Sequence, residues 1–277
     1  MPPISVFERR RRDAVRHAAR QTISEGLASR NPARYRGRRI EGAAHRGGNE
    51  VKITQGQIDA ADVTTRLLLP TSQQGPWSPF ARFAETIATA RKKEGLHSHN
   101  AEEVVVYVLE GYVDHESDGG QPATLTQGSV LVLTAHEPIR HELVMQKGRS
   151  ARWMSIVLRL PSHAERTPAS VQIKTAGDPI EAADGTVQRP VVGSHARADS
   201  FTHIECTDIG FAKEGTAFFR LGKTQRSVAY VLSGSGTFGS EHVEPGDGAL
   251  LENASGFSMH GTPGFRVVLA SLPRPSL

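Results

Sequence analysis

Short apolar runs, each bounded by turn residues, recur from about residue 65 to the end of the chain. Val104 to Leu109 is apolar and largely β-branched, Glu110-Gly111 follows it, and Tyr112-Val113 resumes the pattern. This predicts a strand, a turn and a returning strand. Leu125-Thr126-Gln127-Gly128-Ser129-Val130-Leu131-Val132-Leu133 reads as a turn feeding a buried strand, and Ile139 to Leu143 stands where the next strand returns. Helical periodicity is scarce, and 27 Gly and 16 Pro punctuate the runs, so the expectation is an all-β protein.

The pattern occurs twice. Tyr230-Val231-Leu232-Ser233-Gly234 echoes Tyr107-Val108-Leu109-Glu110-Gly111, and Glu244-Pro245-Gly246-Asp247 followed by Gly248-Ala249-Leu250-Leu251 echoes Gln127 to Leu133. An internal repeat in a chain of 277 residues favours two packed barrels over one large sheet. The expected organisation is a basic, partly disordered N-terminal extension over 1–60, a first barrel over 61–170 and a second over 171–277.

Charge belongs to the extension. Residues 1–40 hold eleven Arg against Glu8, Asp13 and Glu25, whereas the chain as a whole is +4, so the barrels are net acidic. Arg9-Arg10-Arg11-Arg12 and Arg34, Arg36, Arg38 and Arg39 read as a solvated arm, or as a surface for nucleic acid, acidic lipid or an acidic partner. Residues 8–20 have a composition compatible with a helix. No apolar stretch approaches the roughly 18 residues of a membrane span, and no signal-type apolar segment follows the start. The single cysteine, Cys206, permits no internal disulfide and reads as a buried, inert thiol. Together these features point to a cytoplasmic protein and are also compatible with a nuclear or organellar one.

Candidate chemistry centres on His97-Ser98-His99. Alternate residues of a strand share a face, so the two imidazoles can grip one ion together. His141, on the predicted returning strand, offers a third imidazole. On an unbroken strand Glu103 has the parity of the two histidines and would put a carboxylate on the same side. Laying the repeats over each other by their tyrosines sets Arg220 opposite His97, Gly222 opposite His99 and Arg226 opposite Glu103. Counting from the turn glycines sets Met259 opposite His141, and the second barrel is expected to be metal-free. Trp77, Phe80 and Phe83 read as core at the barrel entrance or as the wall of a pocket for a flat substrate; Tyr107 reads as packing, and His115 and His136 as turn or surface residues.

The run His97-Ser98-His99-Asn100-Ala101-Glu102-Glu103, continued through Tyr107 to Gly111, resembles the first signature of the pirin family of the cupin superfamily, as does the distance from Gly128 to His141. The resemblance covers roughly residues 65 to 277 and implies two tandem cupin-type (jelly-roll) β-barrels, with an iron-type metal in the first. It maps the family's three histidine ligands onto His97, His99 and His141. The family's glutamate ligand falls on Leu143, and Glu142 beside it faces the other way. Two completions therefore stand: water, or Glu103 as fourth ligand in the manner of other cupins. The ion implied is Fe(II) or another divalent transition metal.

The resemblance implies a metal-dependent dioxygenase acting on a flavonol-like aromatic substrate, with Glu103 as catalytic base if it does not ligate. The alternative is a metal- or redox-responsive regulatory binding protein without significant catalysis, and a third reading is a metal-free scaffold. Many pirins continue beyond the point matching Val267 to Pro273 into a segment that helps close the second barrel.

Overall fold

The computed structural model describes residues 50–55, 57–59, 63–70, 77–88, 93–118, 120–145, 149–161, 169–222 and 224–273. The arginine-rich segments and the helix expected over 8–20 lie outside the described residues. Among the described residues every regular element is a strand, and no helix is long and apolar enough to cross a membrane.

The strands form two tandem jelly-roll barrels, each made of a large sheet and a smaller one. In the first, strands Phe80–Ala88, Glu102–Ser117, Ser129–Ala135 and Ala151–Arg159 build the large sheet, while Lys93–His99, Ala123–Thr126, Ile139–Val144 and the far half of Glu102–Ser117 face it. In the second, Glu205–Phe211, Gln225–Ser233, Asp247–Glu252 and Arg266–Pro273 face the sheet of Gly215–Arg220, Gly236–Phe238, Glu241–Val243 and Gly256–Gly261.

Three apolar layers result. Val104, Val106, Val108, Leu131, Leu133 and Trp153 fill the first barrel, and Phe238, Phe257, Met259 and Phe265 the second. Between the large sheets lies a third layer holding Phe80, Phe83, Val105, Tyr107, Tyr230, Leu250 and Val268. Trp77, Phe80 and Phe83 belong to this layer, which settles them as packing residues.

The barrels exchange edge strands. Glu50–Gln55 pairs with Asp247–Glu252 of the second barrel, and Ser170–Thr175 pairs with Ser129–Ala135 of the first. Sheet membership thus crosses the expected divisions at 60/61 and 170/171, and each lent strand covers an edge that would otherwise be open.

The two repeated tyrosines make reciprocal contacts across the middle layer. Tyr107 of the first barrel donates its hydroxyl to Asp208 Oδ2 at 2.7 Å, and Tyr230 of the second donates to Glu85 Oε2 at 2.8 Å. Each acid is also held within its own barrel, Asp208 by Arg266 Nε at 2.8 Å and Glu85 by Arg152 Nε at 2.6 Å. Burial, reinforced by the neighbouring carboxylate, pushes both phenol pKa values up, so both remain donors.

One strand departs from the expected hairpin. Glu102–Ser117 runs through Glu110-Gly111 as a single 16-residue element. Its pairing with Ala151–Arg159 slips between Glu110 and Val108, leaving Leu109 as the extra residue of a bulge. Gly111 follows at φ 71°, where a Cβ would lie 2.0 Å from the Ser150 carbonyl oxygen, so only glycine fits. The bulge bends the strand from one sheet into the other and changes which residues face inward. Val104, Val106 and Val108 face the barrel interior before it, and Val113 does so after it.

Candidate metal centre

His97 and His99 end the strand Lys93–His99, and His141 lies on Ile139–Val144, where it is the direct register partner of His97. Directly opposed side chains share a face. The three ring centres are 4.9, 4.6 and 5.0 Å apart, a nearly equilateral triangle, and one ligand atom from each lies within 4.8 Å of the others. Among the described residues this is the group of His, Cys, Asp or Glu side chains able to hold a metal.

Partners fix the tautomers. A carbonyl only accepts, so His97 Nδ1, 2.9 Å from Gly95 O, carries its proton and leaves Nε2 bare. Likewise His99 Nδ1 donates to Glu102 Oε2 at 2.7 Å, while His99 Nε2 is buried without a partner. The hydrogen bond from His99 holds the Glu102 pKa down against its burial, and Arg159, 3.0 Å from Oε1, adds to the effect. His141 has no partner on either nitrogen. Burial, with His97, His99 and His115 nearby, pushes its pKa down to about 3. A neutral imidazole and buried, unpartnered lone pairs are what a divalent transition ion requires, so the trio fits one.

Glu103 is not brought to the trio. The chain bends at Asn100-Ala101, with Ala101 at φ 53°, so the parity of His97 and His99 does not carry into the next strand. Glu103 shares the face of Val105 and Tyr107 and points toward the second barrel. There Oε1 accepts from Ser200 Oγ at 2.5 Å, Thr202 Oγ1 at 2.6 Å and Thr202 N at 3.3 Å. Its Oε2 accepts from Phe201 N at 2.7 Å and Thr134 Oγ1 at 3.1 Å. The acid beside the trio is Glu102, which the spacing argument passed over; its position one residue past the bend was the available signal. Leu143 is buried in the barrel core and offers no ligand atom.

Two further expectations change. His115 is fully buried inside the first barrel, because the bulge at Leu109 turns odd-numbered residues inward; it opposes Leu143 in register. In the second barrel Ala217 opposes Met259 as His97 opposes His141, so the tyrosine alignment overshoots by three residues at Arg220 and Gly222. The longer connection from Phe219 to Tyr230 accounts for the offset. Arg226 instead pairs with Glu252 at 2.7 Å and lies over the Trp77 ring at 5.2 Å. His136 packs edge-on against Phe201 at 5.1 Å. Cys206 is buried, which pushes its thiol pKa up.

Two tandem jelly-roll barrels with a histidine tripod inside one of them define a bicupin. The family model described as Pirin matches residues 71–156, the segment that holds the tripod. A quercetin 2,3-dioxygenase of Escherichia coli is 22% identical over 182 residues, covering 65% of this chain and 76% of that protein. Among solved structures, a Geobacillus kaustophilus protein superposes with TM-score 0.74 at 18% identity, over 83% of this chain and 98% of that one. A bacterial pirin from Escherichia coli in complex with nickel(II) gives TM-score 0.67 at 17% identity, over 81% and 100%. The chain is thus similar to pirins over the segment that holds the tripod and shares their fold over most of its length.

Two predictions follow from this geometry. Glu103→Ala strips five donors of their acceptor and should lower stability by at least about 2 kcal/mol in denaturant titration while leaving metal stoichiometry unchanged. Because the folded-state pKa of His141 lies below the unfolded value, unfolding takes up a proton at acid pH. The metal-free protein should therefore keep this contribution above about pH 6.5 and lose it progressively toward pH 3, and His141→Gln should flatten that slope.

Proposed function

We propose that the protein is a metal-dependent dioxygenase of the quercetinase type. Its ion would be Fe(II) or another divalent transition metal held by His97, His99 and His141, and its substrate a planar, flavonol-like aromatic. The observation that carries this reading is the triangle of imidazoles, His99 and His141 buried and His97 partly exposed, with His97 and His99 oriented by their Nδ1 partners so that Nε2 is bare. The relative named quercetin 2,3-dioxygenase supports the reaction class, and the nickel(II)-bound pirin supports a divalent ion.

His97, His99 and His141 would hold the ion, which would supply Lewis acidity toward a substrate oxygen and redox access to O2. The protein's share is orientation and exclusion of water. Gly95 O and Glu102 hold the rings of His97 and His99, and Arg159 holds Glu102. Ile139, the register partner of His99, and Leu143, two residues beyond His141 on the same strand face, bring apolar core side chains beside the trio, and His97 stands at the partly exposed side next to the exposed Leu96. Substrate would reach the centre from that side. Glu103, with both oxygens engaged elsewhere, has no part in this reading.

Leu143, buried where the resemblance calls for a carboxylate ligand, favours a second reading in which the loaded tripod regulates a partner without turnover. Aerobic turnover separates the two. Iron-loaded protein should consume quercetin and O2 together, and His97→Ala/His99→Ala should abolish this; turnover no faster than that of the metal-free protein would reject the enzyme.

A further inference from the structure

His115 is fully buried, and neither of its ring nitrogens has a partner. A buried polar group without a partner destabilises the fold, so an imidazole in this state calls for a reason. Its ring centre lies 5.5 Å from that of His141. Two imidazoles joined by an N–H···N bond of about 2.9 Å have centres about 5.2 Å apart. The separation therefore suits such a bond once a nitrogen of each ring is turned toward the other.

The two groups lack complementary things. Of the three tripod histidines, His97 and His99 have Nδ1 held by Gly95 O and Glu102, and His141 alone has no partner on either nitrogen. A neutral His141 that gives one lone pair to a metal carries its proton on the other nitrogen, which then needs an acceptor. Both nitrogens of His115 are buried without a partner, and a neutral imidazole presents one of them as a bare acceptor. Strand register sets them on one inward face as diagonal neighbours, since Ser117 opposes His141 and His115 opposes Leu143.

We propose that His115 is the positioning residue of the metal centre, accepting the N–H of His141 and so fixing the tautomer and orientation of the third ligand. This rests on the metal-centre reading above. It gives His141 what Glu102 gives His99, with a neutral acceptor in place of a charged one. The sharp bulge at Leu109 and the glycine at 111 acquire a functional consequence, because without them His115 would face out of the barrel. Ser117, the direct register partner of His141, also has a buried hydroxyl without a partner and is the competing acceptor.

The test is Co(II) affinity of the full-length protein by chelator competition, with Cu(II) electron paramagnetic resonance to count coordinating nitrogens. His115→Leu should weaken Co(II) binding 10- to 100-fold, the loss typical of an outer hydrogen-bond partner. His115→Gln, whose amide oxygen can accept the same bond, should recover most of it, and Ser117→Ala should bind as wild type. The nitrogen count should be the same in wild type and every His115 variant. In the metal-free state His115→Leu should unfold no earlier than wild type, since it removes an unsatisfied buried group; the gain in Tm on loading should shrink. His115→Phe, closer in volume, serves if the leucine variant does not fold. Unchanged Co(II) affinity, a nitrogen count lowered by one, or a loss confined to Ser117→Ala would each overturn the proposal. Wild-type affinity in His97→Ala/His99→Ala would instead remove the metal centre itself.

Discussion

The strict two-sidedness of a β-strand, broken at two defined points, decides what this protein can do. The chain enters the first barrel with His97 and His99 facing inward, bends at Asn100-Ala101, and continues as Glu102–Ser117 with Glu103 facing outward. The bulge at Leu109 then reverses the parity again and brings His115 inside. A single residue of slip exchanges every inward side chain for an outward one. The two breaks thereby sort four chemically capable residues: Glu102 beside the tripod, Glu103 and Tyr107 toward the second barrel, and His115 into the interior.

The outward set does structural work of comparable weight. Tyr107 and Tyr230 occupy matching places in the repeat, and each reaches a carboxylate of the opposite barrel that an arginine of that barrel holds. Hydrogen bonds to charged groups contribute about 1.5–3 kcal/mol each, and a buried acid left without partners costs more than its bonds gain. Glu103 adds a third tie, from the large sheet of the first barrel to the Ser200–Thr202 segment. The barrels are thus joined by an apolar layer pinned at these polar points, with Arg152 donating to Leu232 O and Arg226 to Ser78 O across the same joint. The face of the large sheet away from the histidine trio is committed to this joint, and the trio lies on the other side, within the first barrel.

Much of this was legible in the sequence for a simple reason. Strand alternation in the apolar runs and the repeat of the Tyr-Val-Leu-x-Gly segment are local signals, and they suffice for two all-β barrels. His97, His99 and His141 were legible because a two-residue spacing needs only one regular strand and the third imidazole only a returning one. Glu103 was misplaced because parity was carried across a bend whose sole mark is a positive φ at Ala101, a residue type with no preference for it. His115 was missed because Gly111 reads equally well as a hairpin turn or as the exit of a bulge. The offset at Arg220 arose from a connection three residues longer in the second repeat. Each failure lies at a change of register, where local pattern carries no information about which face comes next.

Anomalous diffraction from crystals of the iron-loaded protein tests the central claim most directly. The account predicts one iron peak in the first barrel, ligated by Nε2 of His97, Nε2 of His99 and one nitrogen of His141, with Glu103 still accepting from Phe201 N and Thr202 Oγ1. An iron peak away from these imidazoles, or a coordination sphere that includes the Glu103 carboxylate, would contradict it.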